Sequence, residues 1–278
     1  MADDPIRSRL FQYRQDRSRF ARIVYTLAFI FFAISVIQWI IMIAVDGLRN
    51  FIIDFYFISI IALLISMLMV TAFVFFENLR FSAPLNWIIA IIIVIMMTWG
   101  LSRAIVEPEL LLFAVTVIVV LVLALVFILI GVFINHDFTL DVVIMFVAAV
   151  IFFITSVFLV MLQLLSGVKI AFYLYSLFII ITVLMFLMYH AQTINGYRYA
   201  EMRINDYLLA ALIIYHDMVL LLIMSFYLIA KIFALAGGTG LLSLRGDSWC
   251  VFCIYISVEM KPNLSDRLTT AAERLIHF

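Results

Sequence analysis

Charge is what this sequence has least of: Asp, Glu, Lys and Arg make up 12% of its 278 residues, where a soluble domain carries about 25%. That shortage excludes a soluble fold, because 68% hydrophobic residues at a mean hydropathy of +1.28 present more apolar surface than a water-facing globule can hide. Proline appears four times, which leaves long apolar runs uninterrupted. Cysteine appears twice, as Cys250 and Cys253, with neither a second pair nor a neighbouring histidine to complete a tetrahedral zinc site. The two read as ordinary thiols or a local disulfide. No glycine-rich phosphate loop, His-Glu-x-x-His zinc helix or nucleophile-elbow serine is present, so the expectation is a non-enzyme without a cofactor.

What remains is hydrophobic sequence in seven blocks, at residues 23–45, 51–76, 84–101, 110–134, 139–165, 170–189 and 207–235. Each suffices, or nearly so, to cross a hydrocarbon core about 30 Å thick at about 1.5 Å per residue. The expected fold is all-α: a bundle of seven transmembrane helices over 23–236, with a basic arm at 1–22 and a partly ordered tail at 237–278. The first block is longer than the apolar core of a signal peptide and should stay as a membrane helix. Pro84 and Pro108 stand at or just before helix starts, where a missing N–H costs little.

Arginine sets the orientation. Arg7, Arg9, Arg14, Arg17, Arg19 and Arg22 crowd the arm, and Arg80, Arg198 and Arg203 fall in connections on the same side. The opposite connections hold Arg49, Arg103 and Lys169, so the arm should be cytoplasmic. It suits acidic lipid headgroups better than nucleic acid. Seven crossings then put the tail in a lumen or outside the cell, with Asn263 of Asn263-Leu-Ser265 open to glycosylation and the two cysteines where a disulfide can persist.

Ionisable groups inside apolar runs point to function, since a charge in hydrocarbon is costly and usually faces a cavity or a partner. Asp217 lies ten residues beyond Tyr207, about 15 Å along its helix. It is either a carboxyl held by a neighbouring helix or part of a gate or ion path. His190 stands where the sixth run becomes polar, followed by Gln192, Thr193 and Asn195, and reads as an interfacial residue or as a partner for Asp217. His216 is adjacent to Asp217 but turned about 100° around the helix. Asp54 and Glu77 mark span edges.

At the sixth and seventh runs the residues acquire a pattern. Phe186-Leu-Met-Tyr-His-Ala-Gln192 with Gly196, then Asp206-Tyr-Leu-Leu-Ala-Ala-Leu-Ile-Ile-Tyr-His-Asp217, resembles the lifeguard branch of the transmembrane Bax inhibitor motif family. Phe20-Ala-Arg-Ile-Val-Tyr25, Pro84-Leu-Asn86 and His136-Asp-Phe-Thr139 resemble further motifs of that family, in the expected order across residues 20–237. The resemblance implies a bundle with the seventh helix central, and a proton-gated calcium leak in endoplasmic reticulum or Golgi membranes, or the plasma membrane, linked to protection from cell death. Calcium would be the permeant ion, and channels or cell-death regulators the partners. It also implies a proton-sensing latch between two aspartates, one each on the sixth and seventh helices, a carboxylate pair that this chain lacks as such. Asp217 matches the second aspartate of that latch, His190 occupies the place of the first, and Leu220 stands where the family often has asparagine.

Asp217 is thereby the candidate gate and transient calcium ligand, with His190 its partner and His216, Gln192 and Arg80 as supporting candidates. If the sixth helix runs on to about Gly196, His190 sits about 9 Å inside its end, and a tilt brings it level with Asp217. Free imidazole titrates near pH ~6.5, which would set the window of such a latch. A non-conducting adaptor for channels or death-pathway proteins is the alternative from another class.

Overall fold

A computed structural model describes residues 5–106, 110–166 and 169–235. The chain divides into two compact units, Met1–Ile232 and Phe233–Phe278. Pro108, Cys250, Cys253 and Asn263, with the rest of the expected tail, lie outside the described residues.

The described residues are helical almost throughout. In chain order the elements are α1 (Pro5–Ala44), α2 (Asp46–Asp54), α3 (Tyr56–Phe75), α4 (Glu77–Phe81), α5 (Leu85–Val106), α6 (Leu110–Phe133), α7 (Val142–Ser166), α8 (Lys169–Asn195) and α9 (Tyr207–Leu235). A 3₁₀ turn, Ile204–Asp206, leads into α9. Seven of these helices are long and apolar enough to cross a membrane: α1, α3, α5, α6, α7, α8 and α9. The chain is therefore a multi-pass bundle whose environment is a lipid bilayer.

Several boundaries differ from the hydropathy reading, three of them where a polar side chain finds a partner inside the protein. The arm at 1–22 is not a separate appendage: from Pro5 onward it is the first half of α1, a single helix of 40 residues, about 60 Å long. No proline or glycine interrupts it before Gly47. The second run breaks at Phe55 into α2 and α3. α5 continues past Leu101 because Ser102 is fully buried, with its hydroxyl donating to the Trp99 carbonyl at 2.7 Å and lying 3.1 Å from the Ser59 hydroxyl. α8 runs on from Tyr189 to Asn195 for the same reason. α7 begins at Val142 rather than Thr139, since the Thr139 hydroxyl and backbone N–H both bond to the Asp137 carboxylate in a local turn.

α3 lies along α5, α6 and α7 both pack on α8, and α1 packs on α5. The last span is the central one. Across the most apolar 18 residues of the Ile204–Phe226 span the buried share is 67%, against 17% for those of Val142–Gln163, the most exposed span. α7 turns Val143, Ile144, Phe146 and Phe153 outward, as a lipid-facing helix should. At mid-span Ser35 of α1, Thr98 of α5 and Tyr215 of α9 form a buried hydroxyl cluster, with contacts of 2.7 and 2.9 Å, and Trp39 Nε1 donates to the Thr98 carbonyl. Interhelical hydrogen bonds of this kind contribute about 1–2 kcal/mol at most in membrane bundles.

α6 approaches α8 at Gly131, where an added Cβ would lie 2.7 Å from the Met188 carbonyl oxygen and 2.9 Å from its Cα. Neither backbone atom can step aside, so Gly131→Ala should lower stability by about 1–3 kcal/mol through overpacking. Thermal unfolding in detergent checks this. An unchanged melting temperature would show that the two helices are not in contact at this position.

Candidate functional site

His190 and Asp217 meet. From the penultimate turns of α8, His190 directs Nδ1 to Oδ2 of Asp217 on α9 at 2.7 Å. Asp217 is 8% exposed and the His190 side chain 21%, so the pair sits at the inner edge of the apolar core. Phe186, one turn earlier on α8, stacks on the imidazole with ring centroids 6.0 Å apart, and Tyr189 meets it edge-on at 5.5 Å. These rings restrict the imidazole to few orientations. Beyond the pair α9 is close-packed: Met218, Leu221 and Leu222 have no exposure.

The polar residues that follow His190 each have a separate task. Thr193 returns its hydroxyl to the His190 carbonyl at 2.9 Å. Gln192, 1% exposed, bridges to the turn before α7, donating to the His136 carbonyl at 2.7 Å and accepting from the Phe138 N–H at 2.8 Å. Asn195 donates to the Tyr25 hydroxyl of α1 at 2.7 Å. Gln192 thus anchors the neighbouring connection and does not touch the pair.

The other supporting candidates bond elsewhere, although His216 neighbours Asp217 in the chain. His216 donates Nδ1–H to the Leu212 carbonyl at 2.7 Å, and its Nε2 is buried without a hydrogen-bond partner. Arg80 lies 3.4 Å from the Asp206 carboxylate and over the Phe81 ring, where it holds the turn that starts α9. Asn86 of the Pro-Leu-Asn motif donates to the Arg80 carbonyl at 3.0 Å, tying the start of α5 to the same place. Asp54 and Glu77 are exposed at helix edges, and Glu77 pairs with Arg203. No cluster of three or more metal-ligating side chains occurs among the described residues.

All connections on the N-terminal side of the bundle are cross-linked. Arg198 donates to the Ile134 and Asn135 carbonyls, the Asp137 carboxylate accepts from the Tyr199 N–H at 3.0 Å, and Glu201 accepts from the Tyr197 N–H and the Tyr13 hydroxyl. Burial pushes the Asp137 carboxyl up, but the hydrogen bonds from Thr139 and Tyr199 and the nearby Arg198 charge outweigh it and hold it below the usual range. Glu201 follows the same pattern: burial raises it, while Tyr13, the Tyr197 N–H and Arg17 lower it further.

A depressed folded-state pKa gives stability that is complete above the unfolded value and is lost as pH falls through the folded one. Melting temperature should therefore drop once pH goes below about 4. The drop should be smaller in Asp137→Asn and Glu201→Gln; equal acid sensitivity in both variants and wild type would remove these carboxylates from the clamp.

The residue that sequence reasoning missed is Arg17. Read as one of six orienting arginines, it is 2% exposed and reaches the end of α8. A signal for it exists: Arg17, Phe20, Val24, Ala28, Phe31, Ser35, Trp39 and Met42 recur at helical spacing, and all are buried, so Arg17 begins the inward stripe of α1. In comparison with known proteins, the chain matches no family model, no curated protein and no solved structure.

Proposed function

We propose that this protein is a calcium-leak pathway of an intracellular membrane, or a regulator of such flux, closed on its N-terminal side by the His190–Asp217 pair. The observation that carries the reading is the 2.7 Å contact between two ionisable groups on separate spans, one of them central to the bundle. Ionisable residues at such depth are costly to keep and mark ion and proton pathways. Two partners on two helices also form an element with two states, joined or parted.

Protonation of the imidazole turns a hydrogen bond into an ion pair, so acidification tightens the contact and loss of the proton loosens it. Parting exposes the Asp217 oxygens, the ligand type that calcium takes. The apolar side chains beyond, Met218 and Leu221 among them, would then hydrate only in the open form. The motif resemblance adds to this proposal an endoplasmic reticulum or Golgi setting and a restraint on apoptosis, without enzymatic activity.

The close packing of α9 beyond the pair favours a second reading, a non-conducting adaptor that binds channels or cell-death proteins. Purified protein in calcium-loaded liposomes separates the two. Efflux above that of empty liposomes supports the leak. Efflux equal to theirs between about pH 5 and 8, the range in which histidine changes charge, replaces the leak with the adaptor.

A further inference from the structure

The end of α8 that carries His190 is held by a buried cation from another helix. Arg17 of α1 forks between two backbone carbonyls, Nη2 to Thr193 in the last turn of α8 and Nη1 to Met202 in the connection to α9. The Met202 N–H bonds to the same Thr193 carbonyl at 3.0 Å, so the guanidinium closes a ring that joins both sides of the connection. Its outer face lies 5.2 Å from the centre of the Phe20 ring, and Glu201 is 3.7 Å away. A cation at the C-terminal end of a helix also suits the partial negative charge there.

Gly196 completes the fit. Its φ of +78° ends α8, and a Cβ built at this position would lie 2.5 Å from the Arg17 Nε and 3.1 Å from its Cγ. Only glycine leaves room for the arginine stem and accepts that backbone angle without strain. Thr193, whose carbonyl Arg17 holds, returns its own hydroxyl to the carbonyl of His190. Arg17 thus reaches the pair by a chain of two contacts, through the last turn of α8.

We infer that Arg17, seated on Gly196, is a positioning residue for the His190–Asp217 pair: it fixes the end of α8 at the height where the imidazole meets the carboxylate. The inference rests on the proposed role of that pair. Arg17 belongs to one unbroken helix running from Pro5 to Ala44, so the packing of α1 sets its place.

The ionisable groups on the elements around this end include Asp217 and His216 of α9, Tyr189 of α8, Tyr13, Arg17 and Tyr25 of α1, Tyr197, Arg198 and Glu201 of the connection, and His136, Asp137 and Asp141 before α7. Two substitutions separate geometry from these charges. Arg17→Lys keeps the cation but cannot span two carbonyls with a planar fork. Gly196→Ala keeps the arginine but forces it off its seat.

The test is an NMR titration of ¹⁵N-histidine-labelled full-length protein in lipid nanodiscs, with the His190 signal assigned by its loss in His190→Gln. Calcium efflux is measured on the same samples. Both variants should change the proton affinity of His190 at least about fivefold, the low end of coupling between linked sites, and leave His136 within about twofold of wild type. The pH midpoint of efflux should move with it. Lowered melting temperature with an unmoved His190 titration would make Arg17 merely structural and overturn the inference. A moved titration without efflux in any sample, wild type included, would sustain the coupling and dismiss the leak instead. Each variant leaves the other's residue intact, so the loss of one to misfolding still leaves the test in place.

Discussion

If the proposed calcium leak is right, Asp217→Asn should abolish the pH dependence of efflux while the bundle stays folded. Asparagine keeps the shape of the side chain and can still hydrogen-bond His190, but it offers no charge for an imidazolium to pair with. Its cost in stability should be about 1–2 kcal/mol, the scale of an interhelical hydrogen bond in a membrane bundle. Because the latch can no longer tighten on acidification, efflux at acidic pH should rise to the level seen at alkaline pH. Efflux assays from about pH 5 to 8, with melting temperature as a control for folding, check this. An efflux profile identical to wild type would return Asp217 to a carboxyl held for packing alone.

His190 gives the second large effect, and two substitutions should pull in different directions. His190→Leu removes the titrating partner and leaves Asp217 beside an apolar side chain, so the pH response disappears with the fold intact. His190→Asp places two carboxyl groups at the contact, where they join by sharing a proton instead of by opposite charge. The proton that closes the latch is then held by a carboxyl pair, and the pH midpoint of efflux should change. The same assays measure both. Variants that titrate like the wild type would leave His190 an interfacial residue with no gating role.

The spans were legible because bilayer thickness sets the length of an apolar run, and seven such runs became seven membrane-length helices. Their ends were less so. Ser102, Gln192 and Asn195 look like loop residues in a hydropathy scan, yet each is satisfied inside the protein, which lets α5 and α8 continue. Long-range contacts of this kind have no local signature.

The centre of the candidate site was partly legible. Asp217 and His190 stand out as ionisable groups in apolar surroundings, but helix rise alone put them about 9 and about 15 Å deep, and only the folded bundle brings them level. The turn of about 100° between His216 and Asp217 likewise separates their roles, and His216 bonds to its own helix. Arg17 escaped because composition treats every arginine before the first span as an orienting charge. Its burial depends on Gly196, 179 positions away, and only the folded chain brings them together.

Interchanging the two partners tests the latch most directly. Asp217→His alone sets two imidazoles at the contact, and their charged forms repel, so acidification should open this variant where it closes the wild type. Adding His190→Asp restores one imidazole and one carboxylate with their helices exchanged. Calcium efflux from liposomes across about pH 5 to 8 should then recover closure on the acid side in the double variant, reversing the acid-side opening of Asp217→His alone. A double variant that follows Asp217→His, opening as pH falls, would contradict an ion-paired latch between α8 and α9.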